Sequence, residues 1–306
     1  MVVVHLPPSS MSAPPARLLS GNFGGSQFIS HRNEAVLPSS LSISKLSPIS
    51  SSKCSCIKEE HTTRASEGFS VLESDILWDS EATWSTMALY LFSLHIPMSY
   101  GGLSVVAYLL HRPILDLQTE ALSLLAIQTF ELTGVLWLLR CIAKPGYKFV
   151  NLFQAEKLTK DRNWLTASAL GFGFLILLVF ITSLLADQLI GPKDVNNPIM
   201  KEILSSGFVS QTACILVYCI VTPLLEEIVY RGFLLASLTS RMKWQQAVVI
   251  SSAIFSAAHF SGENFLQLFI IGTVLGTSYC WTGNLSSSYL IHSLYNALTL
   301  VITYSS

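Results

Sequence analysis

Residues 164–190 read WLTASALGFGFLILLVFITSLLADQLI, a stretch of 27 residues in which Asp187 is the single charged side chain. About 20 consecutive, mostly apolar residues are enough for a helix to cross the hydrocarbon core of a bilayer. Other apolar runs, some of them shorter and interrupted by polar residues, lie at residues 85–110, 120–142, 204–225, 245–260, 264–282 and 286–304. The sequence therefore predicts an all-α protein, a polytopic membrane helix bundle of about seven transmembrane helices around a polar cavity.

The composition agrees with a membrane protein, because 51% of the 306 residues are hydrophobic and only 12% are charged. The formal net charge is −1, and no basic stripe is interleaved with aromatic residues, which argues against a nucleic-acid partner. The sequence also lacks the GxxxxGK phosphate loop, the HExxH zinc motif and the GxSxG nucleophile motif. Nucleotide-dependent and serine-hydrolase functions therefore have no support in the sequence.

The first 60 residues differ in kind from the rest of the chain. They are rich in Ser and Pro, and Glu34 is their only acidic residue before Glu59. Ser-rich, acid-poor segments are typical of plastid transit peptides, which stay unfolded until import. We therefore predict that residues 1–60 are a disordered plastid transit peptide, although a plain disordered tail has the same composition. An acidic N-terminal arm over residues 61–84 is predicted to follow.

The remaining chain is predicted to comprise N-terminal transmembrane helices, residues 85–200, and a C-terminal core, residues 201–304. Basic side chains gather between the second and third apolar runs, at Arg140, Lys144, Lys148, Lys157, Lys160 and Arg162. By the positive-inside rule this loop faces the plastid stroma, and the connection after the fourth run faces the same side. We expect a chloroplast membrane, either the thylakoid or the inner envelope, with Glu226 and Glu227 near the stromal end of their helix.

Three polar clusters interrupt the apolar runs of the C-terminal core. They are TPLLEEIVYRGF at residues 222–233, AIFSAAHF at residues 253–260 and LIHSLYNAL at residues 290–298. Ionisable groups at membrane depth are costly to bury, so they usually face the interior of a bundle, a partner or a water-filled cavity. Carboxylate, imidazole and amide groups on neighbouring helices are able to form a hydrolytic or proton-handling site.

In the first cluster, Thr222 as N-cap and Pro223 at the first helical position predict that a helix begins there. Glu227 and Arg231 are four residues apart, so they are expected to form an ion pair on one face of this helix. Glu226 points about 100° away around the helix, so the two acids are expected to differ in role, one structural and one an acid or base. An ordinary ion pair at the membrane surface is the alternative interpretation.

The other two clusters are less specific by themselves. His259 lies four residues after Phe255, on the same helix face, and a single histidine on an apolar helix is often a hydrogen-bonded core residue. His292 and Asn296 are also four residues apart, so both side chains are able to point to one spot and donate to an oxyanion. A helix-to-helix hydrogen bond is the alternative for this pair.

The patterns EExxxR, FxxxH and HxxxN follow one another on successive apolar runs. In this order they resemble the CPBP family (CAAX protease and bacteriocin-processing, or Abi) of intramembrane endopeptidases, of the type II CAAX prenyl endopeptidase-like, plant plastid type. The resemblance covers residues 200–304. It implies that Glu226 and His259 activate a water molecule. It also implies that His292 and Asn296 stabilise the oxyanion, and that the site is supported by Glu227, Arg231 and Phe255.

These roles describe a glutamate-dependent intramembrane protease that needs no cofactor and acts on a peptide or protein substrate beside membrane lipid. A catalytic zinc held by Glu226, His259 and His292 is an alternative, although the paired histidines of HExxH are absent. Two other classes remain open. One is a non-catalytic membrane scaffold or stabilising partner, and the other is a transporter with a proton relay through Glu226 and His259.

Overall fold

The structure, a computed structural model, describes residues 68–72, 78, 82–146, 148–153, 162–191 and 198–305. The predicted transit peptide and most of the predicted acidic arm lie outside these residues, so the plastid location stays a prediction. Within the described ranges the regular elements are helices, and the extended pairing is one isolated bridge between Trp78 and Ala143. The all-α class is therefore confirmed.

Eight helices follow one another in the described part of the chain. The N-terminal half contains α1 (Thr83–Leu109), α2 (Leu117–Ile142), α3 (Trp164–Ile190) and α4 (Pro198–Ser205). The C-terminal half contains α5 (Phe208–Thr239), α6 (Trp244–Ala258), α7 (Phe265–Thr282) and α8 (Leu285–Ser305). A short 3₁₀ helix, Phe149–Phe153, lies between α2 and α3.

Local sequence signals explain several of the helix ends. The side chain of Asp116 caps α2, because it accepts hydrogen bonds from the backbone N–H and the hydroxyl of Thr119 at 3.1 and 2.8 Å. These bonds lower the pKa of Asp116, so the carboxylate stays ionised. Asn163 caps α3 in the same way, and α7 ends at Gly283, whose φ of 63° favours glycine.

Five of the described helices, α1, α2, α3, α5 and α7, are long and apolar enough to cross a membrane. The two other predicted spans correspond to α6 and α8. With 15 residues, α6 is about 22 Å long, which is less than the hydrocarbon core of about 30 Å. The helix α8 carries polar side chains at residues 292 and 296. The polytopic helical membrane fold is thus confirmed. Five of the seven predicted spans are both long enough and apolar enough to cross a membrane.

A proline lies inside α5, and the helix continues through it. Pro223 follows a π-helical segment, Leu216–Val221, and Thr222 already has helical backbone angles. Proline lacks a backbone N–H and its ring collides with the carbonyl group four residues earlier in a regular α-helix. The wider π-helical turns relieve this collision. The predicted helix start at Thr222 is therefore wrong. The helix α1 accommodates Pro97 through similar π-helical turns.

The helix α5 is the centre of the bundle. Half of the residues in its most apolar 18-residue stretch are buried. The corresponding share is 6% for α3, which faces the surroundings almost entirely. Because α5 runs on to Thr239, Glu226 and Glu227 lie in its interior. The expectation that these acids lie near a helix end is therefore wrong. It assumed that the fourth span ends at residue 225. Glu226 and Glu227 are thus surrounded by apolar residues because α5 is buried at this point and does not emerge at the surface.

A glycine allows α6 and α7 to pack closely. A Cβ atom added to Gly272 of α7 would lie 3.0 Å from Cβ and 3.1 Å from Cα of Ser252 on α6. Real Cβ atoms rarely approach so closely, so one of the two helices would have to move. The carbonyl oxygen of Gly272 also accepts a hydrogen bond from Nη2 of Arg231 at 3.3 Å, which connects this helix contact to α5.

Gly272→Ala is expected to lower the free energy of unfolding by about 1–3 kcal/mol, because the added methyl group overpacks the contact between α6 and α7. Gly173→Ala is the matched control, since a Cβ atom at Gly173 meets nothing within 4 Å and alanine favours the helix. Thermal unfolding in detergent, followed by circular dichroism, compares the two variants. Equal stabilities would contradict the close contact at Gly272.

Candidate active site

The carboxylate of Glu226 faces one histidine from each of two other helices. Its Oε1 is 3.7 Å from Nε2 of His259, at the end of α6, and its Oε2 is 3.6 Å from Nε2 of His292 on α8. Both separations are longer than a hydrogen bond, and a water molecule is able to bond to both atoms of such a pair. Only 8% of the Glu226 side chain is exposed, so the three side chains meet inside the bundle.

Glu227 points to a different side of α5 and is held by two partners. Its Oε1 accepts hydrogen bonds from Nη1 of Arg231 at 3.0 Å and from Nδ1 of His292 at 2.9 Å. The guanidinium group of Arg231 also lies 4.4 Å from the centre of the Phe255 ring. Glu227 and Arg231 are both almost completely buried, where a charge without a partner is strongly destabilising. The predicted ion pair is therefore confirmed, and the two acids have different surroundings.

The imidazole ring of His259 has a fixed orientation. Its Nδ1 is 2.7 Å from the carbonyl oxygen of Phe255, and because a carbonyl oxygen only accepts hydrogen bonds, Nδ1 carries a proton. In the neutral ring, Nε2 is then the unprotonated nitrogen, and it is this atom that faces Glu226. The Phe255 ring packs edge-on against the imidazole at 4.7 Å, which restricts its rotation further.

The helix α8 carries the last two predicted side chains, but they make different contacts. His292 connects Glu226 and Glu227 through its two ring nitrogens. The amide nitrogen of Asn296 donates instead to the backbone carbonyl of Tyr218 in α5, at 2.9 Å. The structure thus brings Glu226, His259 and His292 together, while Asn296 makes a helix-to-helix hydrogen bond. The role of Asn296 as an oxyanion donor stays a prediction.

Comparison with known proteins identifies the same part of the chain. Residues 208–298, from the first residue of α5 into α8, match the family described as type II CAAX prenyl endopeptidase, Rce1-like. We refer to residues 208–298, which match this family, as the CAAX protease domain. The matched residues include all six polar side chains of the three motifs, and the predicted family is therefore confirmed. The plastid type within this family stays a prediction.

A bacterial protein is also similar to this chain. The membrane-embedded CAAX protease MroQ of Staphylococcus aureus (strain USA300) is 27% identical to the chain over 138 residues. The match covers 43% of this chain and 55% of the relative, so the chain spans about half the length of the curated relative that it matches. No solved structure matches the chain.

A second buried polar cluster lies outside the matched residues of the CAAX protease domain, and sequence analysis missed it. Glu131 of α2 is fully buried and accepts a hydrogen bond from the hydroxyl of Tyr90 at 3.1 Å. The same oxygen is 2.9 Å from Nδ1 of His95, and Gln128 donates to the other oxygen at 3.4 Å. Glu131 and His95 are ionisable residues inside predicted spans, so the cost argument that singled out the C-terminal clusters could have found them.

The zinc alternative depends on the arrangement of possible ligands. In the described ranges, no group of three or more His, Cys, Asp or Glu side chains is arranged to hold a metal ion. One ring nitrogen of each histidine near Glu226 is already engaged, Nδ1 of His259 by a backbone carbonyl and Nδ1 of His292 by Glu227. Such contacts at Nδ1 are also typical of histidines that bind a metal through Nε2, so zinc stays an alternative to the metal-free mechanism.

Proposed function

We propose that the CAAX protease domain is a glutamate-dependent intramembrane endopeptidase, which hydrolyses a peptide bond inside the membrane. The observation that carries the proposal is the position of Glu226 between two imidazole rings, 3.7 Å from His259 and 3.6 Å from His292. A carboxylate and an unprotonated ring nitrogen that face the same gap are suited to hold and deprotonate one water molecule. The similarity to a membrane-embedded CAAX protease supports this reaction class.

The hydrolysis proceeds through attack of this water on the substrate. Glu226 accepts a proton from the water while the water oxygen bonds to the carbonyl carbon of the peptide bond, and Nε2 of His259 holds the water in place. The proton then passes to the leaving nitrogen as the C–N bond breaks, which releases one carboxylic acid and one amine. No covalent bond to the enzyme is formed at any stage.

His292 is placed to stabilise the negative charge that develops on the carbonyl oxygen. Its Nδ1–H donates to Glu227. When the second ring nitrogen also carries a proton, Nε2–H points to the side where Glu226 lies. Asn296 is the proposed second donor, because its amide has two N–H groups and the carbonyl of Tyr218 accepts only one hydrogen bond from it.

Peptide hydrolysis by the purified full chain tests the proposal. In detergent, the wild-type chain is expected to cleave members of a library of internally quenched peptides. In isotope-labelled water, mass spectrometry should find the heavy oxygen in the new carboxyl groups. His259→Gln is expected to lose cleavage, because it removes the ring nitrogen that faces Glu226. His111→Gln, at an exposed loop histidine, is the matched control and should cleave like the wild type.

Two further results distinguish this proposal from the alternatives. A chelator is expected to leave the cleavage rate unchanged, whereas loss of cleavage that added zinc restores would favour a zinc site. If the folded wild-type chain cleaves no peptide of the library, or if His259→Gln cleaves as well as the wild type, the protease proposal fails. A non-catalytic scaffold would then explain the buried polar network better.

A further inference from the structure

The second polar cluster contacts the end of α6, the helix that directly precedes His259. Glu131 of α2 is fully buried, and its Oε1 lies 2.9 Å from Nδ1 of His95 and 3.1 Å from the hydroxyl of Tyr90, both on α1. On the opposite side of the imidazole ring, Nε2 of His95 lies 3.3 Å from the carbonyl oxygen of Ala258. Ala258 is the last residue of α6, so this chain of contacts ends at the residue before His259.

The acceptors around His95 define how it is protonated. A carbonyl oxygen only accepts hydrogen bonds, so Nε2 carries a proton and donates it to Ala258. The proton between Nδ1 and Glu131 lies on one partner or the other, which gives either an ion pair or a neutral pair. In both states Nε2 keeps its proton. His95 therefore donates to the end of α6 whatever the state of its pair with Glu131.

The helix α1 makes a second contact one residue further along. The hydroxyl of Tyr100 donates to the carbonyl oxygen of His259 at 3.3 Å. The last carbonyl groups of a helix lack partners within the helix, and here two of them receive side chains from α1. Phe260 follows with a φ of 48°, which is strained for a bulky residue, and its ring packs edge-on against Tyr100. The backbone on both sides of His259 is thus held by α1.

We propose that His95, fixed by Glu131, is a positioning residue that holds the end of α6 so that His259 faces Glu226. The inference rests on the proposed function, in which Glu226 and His259 share one water molecule. Oε1 of Glu226 and Nε2 of His259, the two atoms proposed to hold this water, are 3.7 Å apart. A displacement of about 1 Å at reacting groups can lower a rate by about 100-fold. The hydrogen bond to Ala258 is therefore expected to act on kcat and not on substrate binding.

Two substitutions of His95 separate positioning from packing. His95→Gln keeps an N–H donor that is able to reach Ala258, whereas His95→Leu keeps the bulk of the ring without any donor. For the best-cleaved peptide of the library, His95→Leu is expected to lower kcat by about 10- to 100-fold with KM unchanged. His95→Gln should keep most of the wild-type kcat. Equal values of kcat in the two variants would overturn the proposal.

A second variant covers the case in which His95→Leu does not fold. That substitution leaves the buried carboxylate of Glu131 with fewer partners, which is destabilising. Combining His95→Leu with Glu131→Gln removes the buried charge and still provides no donor for Ala258. This folded double variant is expected to show the same loss of kcat, and a wild-type kcat would refute the positioning role.

A spectroscopic measurement tests the positioning without any need for activity. Nuclear magnetic resonance of the full chain with isotope-labelled histidine resolves individual imidazole signals. The signal that disappears in His259→Gln is assigned to His259. It is expected to shift in His95→Leu and to stay in place in His95→Gln, while the exposed His111 signal stays constant. This pattern in a chain without peptidase activity would refute the proposed function and support the positioning. A His259 signal that does not respond to His95→Leu would overturn the positioning.

Discussion

Glu226→Gln is expected to lower kcat for peptide cleavage by about 100- to 10,000-fold, the range that a general acid or base contributes. The glutamine side chain keeps the size of glutamate, but its amide is unable to accept a proton from water. The value of KM should change little, because Glu226 is proposed to act on the water and not to bind the substrate. Steady-state cleavage of one quenched peptide, measured over a range of peptide concentrations, gives both constants.

Glu202→Gln is the matched control for this experiment. It makes the same exchange at an exposed glutamate on α4 and is expected to keep the wild-type kcat. Thermal unfolding of both variants in the same detergent shows whether each is folded at the assay temperature. A folded Glu226→Gln variant with the wild-type kcat would exclude Glu226 as the base, and the proposed mechanism would be wrong.

Features that depend on neighbouring residues could be predicted from the sequence. The cost of burying ionisable groups in a membrane singled out the three C-terminal motifs, and all three lie on helices of one bundle. The ion pair between Glu227 and Arg231 follows from their spacing of four residues, which is a local property of a helix. The different surroundings of Glu226 and Glu227 follow in the same way, because adjacent residues point to different sides of a helix.

Features that depend on how distant helices meet could not be predicted. His95 and Glu131 are 36 positions apart, and no local rule connects them. The partner of Asn296 is a backbone carbonyl, that of Tyr218, which has no signature in the sequence. The preference of Thr-Pro for a helix start was overridden at Pro223, because a continuous buried helix with one π-helical segment accommodates the ring there.

Arg231→Met is expected to lower the free energy of unfolding by about 3–5 kcal/mol, because it leaves the buried carboxylate of Glu227 without its main counter-charge. Methionine has a similar length and fills irregular space well, so loss of packing contributes little to this effect. Glu227 would keep its hydrogen bond from His292, which does not replace the lost guanidinium charge. Chemical unfolding in detergent, followed by the intrinsic fluorescence of tryptophan, measures the loss.

Two comparisons show whether the loss comes from the buried charge. Combining Arg231→Met with Glu227→Gln should recover most of the stability, since the glutamine oxygen still accepts a hydrogen bond from His292 and no charge is left without a partner. Arg112→Met breaks a pair with Asp116 of the same four-residue spacing, but those side chains are 64% and 53% exposed. Its expected cost is only about 0–1 kcal/mol. If Arg231→Met lowers the free energy of unfolding no more than Arg112→Met does, Arg231 does not brace Glu227. The proposed role of His292, which depends on a fixed Glu227 carboxylate, would then lack support.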